Sequence, residues 1–302
     1  MTTAITATIT IANAHAGRAL LGLAAGGASY AVEIGAAISL LRYLTRMRRP
    51  VVFVTDYGHD DAYAAALIGA AWRIEPKTVC VEGTHGVPPG DVLAGAYHLK
   101  SLALAFDSQV VLCAVVDPGV GTSRRAIAVE VGGTCCVAPD NGLVSYLWTE
   151  TPEQWRRAVV LDVPFDAAPT FHGRDLFAPV AAQLAAGTSL YDAGAPIDDP
   201  VVVPEAFIER LRTGLRGRVA VIDHFGNAIT TIRDVDVGAS SVASVSWKDG
   251  STTQMVTTYE DIASGVGALF GSAGHLEIAG RGAGSGTIGG PSLHDEVVVE
   301  LR

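Results

Sequence analysis

From residue 50 onward, short apolar runs alternate with segments that repeat apolar side chains at helical spacing. The runs at 51–55, 78–82 and 110–116 have the length of buried strands, and residues 60–74 and 91–105 between them have the helical pattern. Parallel neighbours in a sheet need a crossover of this kind. The alternation therefore predicts an α/β, Rossmann-like domain with a largely parallel sheet.

Two further features complete the predicted order of elements. Gly132 and Gly133 separate two apolar runs and predict a hairpin, and residues 175–186 are the last convincing helix. Beyond residue 204, short strand candidates follow one another at 218–222, 228–232, 242–247, 253–257, 275–278 and 296–301. This succession is typical of a smaller, barrel-like β domain. We expect three parts: an amino-terminal extension (1–49), an α/β domain (50–205) and a β-rich domain (215–302).

The extension differs from the rest in composition, being rich in Ala, Thr and Gly with an apolar stretch at 19–41. Glu33 interrupts that stretch, which makes it a marginal membrane span. A signal peptide is a second interpretation, but the basic region that should precede its apolar part is poorly developed here. A natural start at Met47 is a third interpretation. We expect a segment outside the catalytic fold, with an amphipathic helix over 31–46.

Charge and cysteine usage narrow the class of protein. The 302 residues have a formal net charge of −10, 17% are charged and 49% are hydrophobic, which excludes disorder and argues against a nucleic-acid binder. The four cysteines lie in apolar runs or side by side without metal-ligand spacing. We therefore expect core thiols in a reducing, cytoplasmic compartment, with no membrane partner.

Polar motifs follow two of the predicted strands. Asp56 lies just beyond the first strand, in the usual ligand crevice of such sheets, where its carboxylate could accept hydrogen bonds from the vicinal hydroxyls of a ribose. Capping of the next helix is the structural alternative, and we expect Asp60 or Asp61 to provide that cap. The turn after the third parallel strand can fold Asp117 and Arg124 together, either as a charged pair in a cleft or as a structural salt bridge.

A third motif places His172 at the start of a helix. The helix dipole disfavours an imidazolium there, so the ring should stay neutral. A neutral ring suits a general base or a hydrogen-bonding group that orients substrate, and a satisfied core histidine is the alternative.

Seven motifs in order along the chain resemble the S-adenosylmethionine (SAM) hydrolase family, also called SAM hydroxide adenosyltransferases, which are related to fluorinase and chlorinase. The motifs are Thr-Asp-Tyr-Gly at 55–58 with Asp61 and Tyr63, Thr-His at 84–85 with Pro88 and Asp91, Asp-Pro-Gly-Val-Gly-Thr at 117–122 with Arg124 and Arg125, Ala-Pro-Asp-Asn-Gly-Leu at 138–143, Phe-His-Gly-Arg-Asp at 171–175, Ile-Asp-His-Phe-Gly-Asn at 222–227 and Ser-Ala-Gly-His-Leu-Glu-Ile-Ala at 272–279.

The resemblance implies hydrolysis of SAM to adenosine and L-methionine, without cofactor or metal, in homotrimers whose sites lie between one subunit's first domain and its neighbour's second. It implies a catalytic set of Asp117, Arg124 and His172. The substrate-binding residues that it implies are Asp56, Asp223, Phe225, Asn227, Ser272, Glu277 and Ala279.

The chemistry of these side chains agrees with that activity. A sulfonium leaves as a neutral thioether, so the protein must mainly place a water in line with the ribose 5′ carbon. We expect His172, paired with Asp117, to accept the proton and Arg124 to stabilise charge. Halogenating relatives place hydroxyl side chains where this chain has Asp117, Val120 and the pair His172–Gly173, which favours water as the nucleophile.

Two alternatives stay open. The Asp-rich segment at 55–62 also resembles the calcium site of nucleoside N-ribohydrolases, although Val54 stands where those enzymes have a further Asp. Calcium takes about 6–8 oxygen ligands, so that difference matters. A module that binds SAM without turnover is the second alternative.

Overall fold

The computed structural model describes residues 8–12, 20–25, 28–33, 48–106, 109–282 and 284–302. Residues 1–48 and 49–302 form two units. In the first, strands β1 (Thr8–Ala12), β2 (Leu20–Ala25) and β3 (Ala28–Glu33) form an antiparallel sheet in that order. The predicted helix over 31–46 is wrong at its start, because residues 31–33 pair with β2, and its remainder lies outside the described residues.

The second unit begins with a mixed sheet and its helices. Its elements are β4 (Val51–Thr55), α1 (Tyr63–Ile74), β5 (Cys80–Thr84), α2 (Val92–Ala105), β6 (Val111–Val115), β7 (Ala126–Val131), β8 (Thr134–Pro139), α3 (Ser145–Glu150), β9 (Arg156–Leu161), α4 (Ala178–Ala185), α5 (Leu190–Ala193) and β10 (Gly194–Ile197). The strands lie in the order β10-β9-β7-β8-β6-β4-β5. From β8 to β5 they are parallel, as predicted, whereas β10, β9 and β7 are antiparallel to their neighbours.

The change from parallel to antiparallel pairing occurs at the predicted hairpin. Gly132 and Gly133 both adopt positive φ, at 56° and 98°, which the tight turn between β7 and β8 requires. Strand β9 then pairs with β7 rather than continuing the parallel half. The sheet is therefore mixed, and the expectation of a largely parallel sheet holds for one half of it.

Alternating side chains of β4 pack on opposite faces of this sheet. Val52 and Val54 lie in the apolar core under α2, while Val51 and Phe53 lie in the core under α1 and α4. Helix α2 begins at its predicted cap, where Asp91 Oδ1 accepts a hydrogen bond from the amide of Ala94 at 3.0 Å. Helix α1 begins differently, after Ala62 and without a side-chain cap, so the expectation of an Asp cap there is wrong.

The remaining strands form a second, antiparallel sheet. They are β11 (Glu209–Leu211), β12 (Gly214–Ile222), β13 (Ala228–Arg233), β14 (Val242–Trp247), β15 (Gly250–Thr252), β16 (Val266–Phe270), β17 (His275–Gly280) and β18 (Glu296–Leu301), with the short helix α6 (Asp234–Val237) after β13. Their order is β15-β14-β18-β12-β13-β17-β16, and β11 pairs with β12.

Contacts between the two edge strands make this second sheet barrel-like. Thr252 Oγ1 donates to the carbonyl of Val266 at 2.7 Å, and Met255 forms a bridge with Ala268. The predicted strand at 253–257 is reduced to that bridge, and the Gln254 side chain there bonds to the backbone of the neighbouring loop, at the Ser264 carbonyl and the Ala263 amide. No helix in the described part of the chain is long and apolar enough to cross a membrane.

Candidate active site

The predicted catalytic side chains meet at the carboxyl ends of β4 and β6. These strands are parallel neighbours, and their last residues, Thr55 and Val115, lie opposite each other. Asp56 comes directly after the first strand, and Asp117 comes after the second strand with one residue, Val116, between them. His172 precedes a π-helical turn at Gly173–Phe177 that continues into α4. The sheet thus brings together residues that lie far apart in the chain, as the strand-end pattern predicts.

Arg124 stands between Asp117 and His172 and bonds to both. Its Nε lies 3.1 Å from each carboxylate oxygen of Asp117, and its Nη2 lies 2.5 Å from Oδ2. The same Nη2 lies 2.9 Å from His172 Nδ1. The side chains of Asp117 and Arg124 are 4% and 10% exposed, so this pair is nearly withdrawn from water. The guanidinium also lies over the Phe177 ring, 5.2 Å from its centroid.

This arrangement corrects the expected pairing of His172 with Asp117. A guanidinium carries donors alone, so the 2.9 Å contact requires His172 Nδ1 to be an unprotonated acceptor. The neutral ring then carries its hydrogen on Nε2. Burial, together with the adjacent Arg124, lowers the pKa of His172 below its ordinary value, which keeps the ring neutral as predicted. In this state the His172 ring can donate a hydrogen bond from Nε2, and its Nδ1 lone pair is already used by Arg124.

Asp56 is held by the loop that precedes α2. Its Oδ2 accepts a hydrogen bond from the amide of Gly90 at 2.8 Å. Burial raises the pKa of Asp56, and the nearby Asp117 carboxylate adds to that effect. The Gly90 amide opposes it by stabilising the ionised form.

Tyr57 packs beside the candidate catalytic cluster, which consists of Asp56, Asp117, Arg124 and His172. Its position explains why residue 173 is a glycine. The Tyr57 ring packs against Tyr63 in a tilted arrangement and against Phe171 edge to face, at centroid separations of 5.9 and 5.8 Å. A β-carbon on Gly173 would lie 2.3 Å from the Tyr57 hydroxyl oxygen. The chain next to His172 can approach the tyrosine this closely because no side chain intervenes.

Most of the predicted substrate-binding residues line a separate cavity of about 580 Å³ at the barrel-like sheet. Its walls are Tyr97, Asp223, Phe225, Asn227, Ile229, Tyr259, Ser272, Glu277, Gly280 and Gly282. Asp223 is rigidly held, since Oδ1 accepts from the amides of Phe225 and Asn227 and Oδ2 accepts from Asn227 Nδ2 at 3.0 Å. The Phe225 ring is largely exposed beside it.

Glu277 is a second carboxylate in this cavity. It is buried, and its Oε2 accepts a hydrogen bond from the Tyr259 hydroxyl at 2.6 Å. Burial raises the pKa of Glu277, and the neighbouring Asp223 charge raises it further. The structure therefore places two acidic groups where a ligand ammonium could contact them.

The cavity also differs from the expected residue set. Ala279 is fully buried and packs with Ile262 and Leu269, so its side chain points into the core rather than into the cavity. Tyr97 on α2 and Tyr259 line the cavity, and the sequence reading missed both. Tyr97 is buried on a mostly apolar helix and resembles a core residue in the sequence, and Tyr259 lies in a short helical turn that carries no motif.

The catalytic cluster and the cavity are distinct in this chain. Among the described residues, no hydrogen bond or ion pair joins Asp56, Asp117, Arg124 or His172 to Asp223, Asn227 or Glu277. One group belongs to the mixed sheet and the other to the barrel-like sheet.

Residues 51–194 match the SAM hydroxide adenosyltransferase N-terminal domain, and residues 217–287 match the corresponding C-terminal domain. The chain belongs to the SAM hydroxide adenosyltransferase family. One match falls on the mixed sheet and the other on the barrel-like sheet, and together they include the candidate site residues. Proteins named fluorinase match as well, at 26–28% identity, which confirms the expected relationship.

Members with curated names are similar over most of their length. The (R)-S-adenosyl-L-methionine hydrolase of Salinispora tropica is 42% identical over 189 residues, 59% of this chain and 69% of that protein. The one of Thermus thermophilus is 37% identical over 245 residues, 76% of this chain and 91% of that protein. The crystal structure of an uncharacterised conserved protein from Thermotoga maritima superposes with a TM-score of 0.74 at 29% identity, covering 82% of this chain and 99% of that one.

Proposed function

We propose that this member of the family hydrolyses S-adenosyl-L-methionine to adenosine and L-methionine. The observation that carries the proposal is the nearly buried arrangement in which Arg124 bonds to both Asp117 and His172, beside Asp56. Relatives similar over most of their length are named as hydrolases of this substrate. That name specifies the R configuration at sulfur, so we propose the R epimer as a substrate of this chain as well.

The reaction needs one water placed in line with the sulfur–carbon bond. The water oxygen forms a bond to the ribose 5′ carbon, and the carbon–sulfur electron pair leaves with the neutral thioether of methionine. Because Arg124 keeps its protons and His172 Nδ1 is occupied, the water proton goes to a carboxylate oxygen of Asp117 and then to solvent. The His172 Nε2–H orients the attacking oxygen. Proton transfer of this kind contributes about 10²–10⁴-fold.

The other predicted residues bind the two ends of the substrate in this proposal. Asp56 accepts hydrogen bonds from the ribose hydroxyls, and Asp223 pairs with the methionine ammonium, aided by the second carboxylate, Glu277. Asn227 and Ser272 supply directional hydrogen bonds, and the exposed Phe225 ring packs on the ligand. This assignment is supported by the residues that line the cavity.

We further propose a homotrimer in which the first domain (50–205) of one subunit meets the second (215–302) of its neighbour. The separation of the two residue groups within one chain supports this assembly. Mixing inactive His172→Ala and Asp223→Ala proteins after mild dissociation should restore part of the activity, because some interfaces then combine two intact domains. Verified mixed trimers that stay inactive would place the whole site within one chain.

The cellular setting is also part of the proposal. Four free thiols support a cytoplasmic location. A net charge of −10 disfavours partners that are polyanions, such as nucleic acids or anionic membranes.

The deciding experiment incubates the protein separately with the R and S epimers of SAM and separates the products by chromatography. We expect the R epimer to give adenosine and methionine in equal amounts. Treatment with a chelator should leave the rate of product formation unchanged. 5′-Chloroadenosine as the main product in chloride buffer would overturn the choice of water as nucleophile. Adenine as product would favour the N-ribohydrolase alternative, and binding without any product would favour a non-catalytic module.

The geometry gives the calcium-dependent alternative little support. In the described part of the chain, no three His, Cys, Asp or Glu side chains lie close enough together to hold a metal ion. Asp60 and Asp61, which would have to contribute ligands there, are exposed on the loop before α1.

A further inference from the structure

The hydroxyl of Thr55 spans the backbone at Asp56. Thr55 is the last residue of β4, directly before Asp56, and its side chain is fully buried. Its Oγ1 accepts a hydrogen bond from the amide of Tyr57 at 3.2 Å, which closes a tight turn around Asp56. The same oxygen lies 2.7 Å from His85 Nδ1, with which it forms a second, buried hydrogen bond. The position of the turn therefore depends on the imidazole.

His85 comes directly after β5, the parallel neighbour of β4, and holds the same turn through its backbone. Its carbonyl accepts a hydrogen bond from the amide of Gly58 at 2.8 Å. Two residues further along, the amide of Val87 donates to the carbonyl of Thr55 at 3.3 Å. The contact between imidazole and hydroxyl is thus the side-chain member of a set of bonds that joins the ends of the two strands.

The polar balance of the His85 ring is unusual for a core residue. The ring is fully buried, and its Nε2 has no hydrogen-bond partner among the described residues. Burial lowers the pKa of His85, which keeps the ring neutral. A neutral imidazole and a hydroxyl can share a hydrogen in either direction, so the bond to Thr55 forms in both tautomers. An apolar side chain would leave no nitrogen unpaired, so packing alone does not account for a histidine here.

We propose that His85 is a positioning residue for the ribose, because its hydrogen bond to Thr55 fixes the turn that carries Asp56. The Gly90 amide then holds Oδ2 of the carboxylate from the other side, at 2.8 Å. The inference rests on the proposed function, in which Asp56 accepts hydrogen bonds from the ribose hydroxyls. In the alternative interpretation the pair only stabilises the fold, and its loss lowers the folded fraction without changing the affinity for substrate.

The first test compares Thr55→Val with Thr55→Ser in the full chain. Valine keeps the branched shape and lacks the hydroxyl, whereas serine keeps the hydroxyl. We expect valine to raise the KM for SAM roughly three- to tenfold, the worth of one hydrogen bond, with kcat within about twofold of wild type. Serine should keep the KM within about twofold of wild type.

The partner residue gives a second, independent pair of variants. Asparagine in His85→Asn places a side-chain amide near the position of Nδ1, and leucine in His85→Leu has no polar group. Leucine should raise the KM as Thr55→Val does, and asparagine should restore most of it. The double variant Thr55→Val/His85→Leu should raise the KM by less than the product of the two single effects, because both remove the same bond. If Thr55→Val does not fold, the His85 pair makes the same comparison.

Thr230→Val is the matched structural control. Thr230 on β13 is also fully buried, and its hydroxyl likewise accepts from the amide two residues further on, that of Ile232, at 3.2 Å. Its loss should lower thermal stability and leave the KM unchanged. An equal rise of the KM in Thr230→Val, a wild-type KM in both Thr55→Val and His85→Leu, or fully multiplicative effects in the double variant would each overturn the proposal.

A binding measurement separates this inference from the proposed function. Adenosine carries the ribose hydroxyls without the sulfonium, and its Kd by calorimetry should rise in Thr55→Val and recover in Thr55→Ser. If the wild type binds adenosine but releases no methionine from SAM, the hydrolase proposal fails while the Kd series still decides the role of His85. A wild-type protein that neither turns over SAM nor binds adenosine would overturn both.

Discussion

Replacing Arg124 by lysine should remove the geometry of the catalytic cluster while keeping its positive charge. The guanidinium donates from Nε to both oxygens of Asp117 and from Nη2 to Oδ2 and to His172 Nδ1. An ammonium is a point charge on a flexible chain and does not reproduce this planar fork. A lysine that stays bonded to Asp117 leaves His172 Nδ1 without its donor.

The expected loss follows from the contact that disappears. A hydrogen bond from a charged group contributes about 1.5–3 kcal/mol, and about 1.4 kcal/mol corresponds to a tenfold change in rate. We therefore expect kcat for Arg124→Lys to fall roughly 10- to 150-fold. KM should change little, because the group acts on the attacking water rather than on bound substrate.

Two further measurements make the reasoning refutable. Arg125→Lys is the matched control, since Arg125 lies in the same loop but bonds to Asp140 and Asp199, and its kcat should stay within about threefold of wild type. Nitrogen chemical shifts of His172 should show hydrogen on Nε2 in wild type and a mixture of tautomers in Arg124→Lys. Wild-type turnover in a folded Arg124→Lys protein, or equal losses in the two lysine variants, would show that the bridge is not the source of the rate.

Three other changes test separate parts of the structure. Asp56→Ala should raise the KM for SAM at least about tenfold with kcat less affected, because the ribose hydroxyls are bound throughout the reaction; steady-state kinetics measure this. Gly173→Ala should lower thermal stability and turnover by overpacking worth about 1–3 kcal/mol, and Tyr57→Phe, which removes the clashing hydroxyl oxygen, should restore part of both. Burial lowers the pKa of His275 from 6.5 to about 4, so the unfolded state takes up a proton in this interval that the folded state does not. Between about pH 7.5 and pH 4, wild type should therefore lose about 3 kcal/mol of unfolding free energy relative to His275→Asn. Urea denaturation at each pH measures this difference. Parallel curves of unfolding free energy against pH for the two proteins would contradict the prediction.

Local patterns predict the elements whose residues determine their own structure. The β4 run of β-branched side chains, the Asp91 cap of α2 and the glycine pair between β7 and β8 all appear where the sequence places them. Each of these signals acts within a few residues. The strand-end rule then extends them to the site, since neighbouring parallel strands necessarily bring Asp56 and Asp117 to one edge.

Other features could not be predicted from the sequence because they depend on contacts between distant segments. Strand β9 begins with two arginines and β10 contains a proline, so neither has a strand pattern, and both owe their conformation to pairing at the antiparallel side of the sheet. The partner of His172 is 48 residues away in the chain. Side-chain positions that differ by a few ångströms decide whether the imidazole contacts the Asp117 carboxylate or the Arg124 guanidinium. The spacing of these residues along the sequence does not specify such positions.

The corrected pairing changes the division of labour within the proposed mechanism. With His172 Nδ1 accepting from Arg124, the ring is a donor, and the remaining acceptor near the attacking water is the Asp117 carboxylate. Sulfonium departure creates no negative charge on the leaving group, so the site needs no acid, and an acceptor plus a fixed donor suffice to orient and deprotonate one water. The substrate, however, is longer than this cluster. We propose that its methionine end binds the acidic groups of the second sheet, Asp223 and Glu277, which no hydrogen bond or ion pair among the described residues links to the cluster. A site completed by a neighbouring subunit meets that requirement without rearranging either domain.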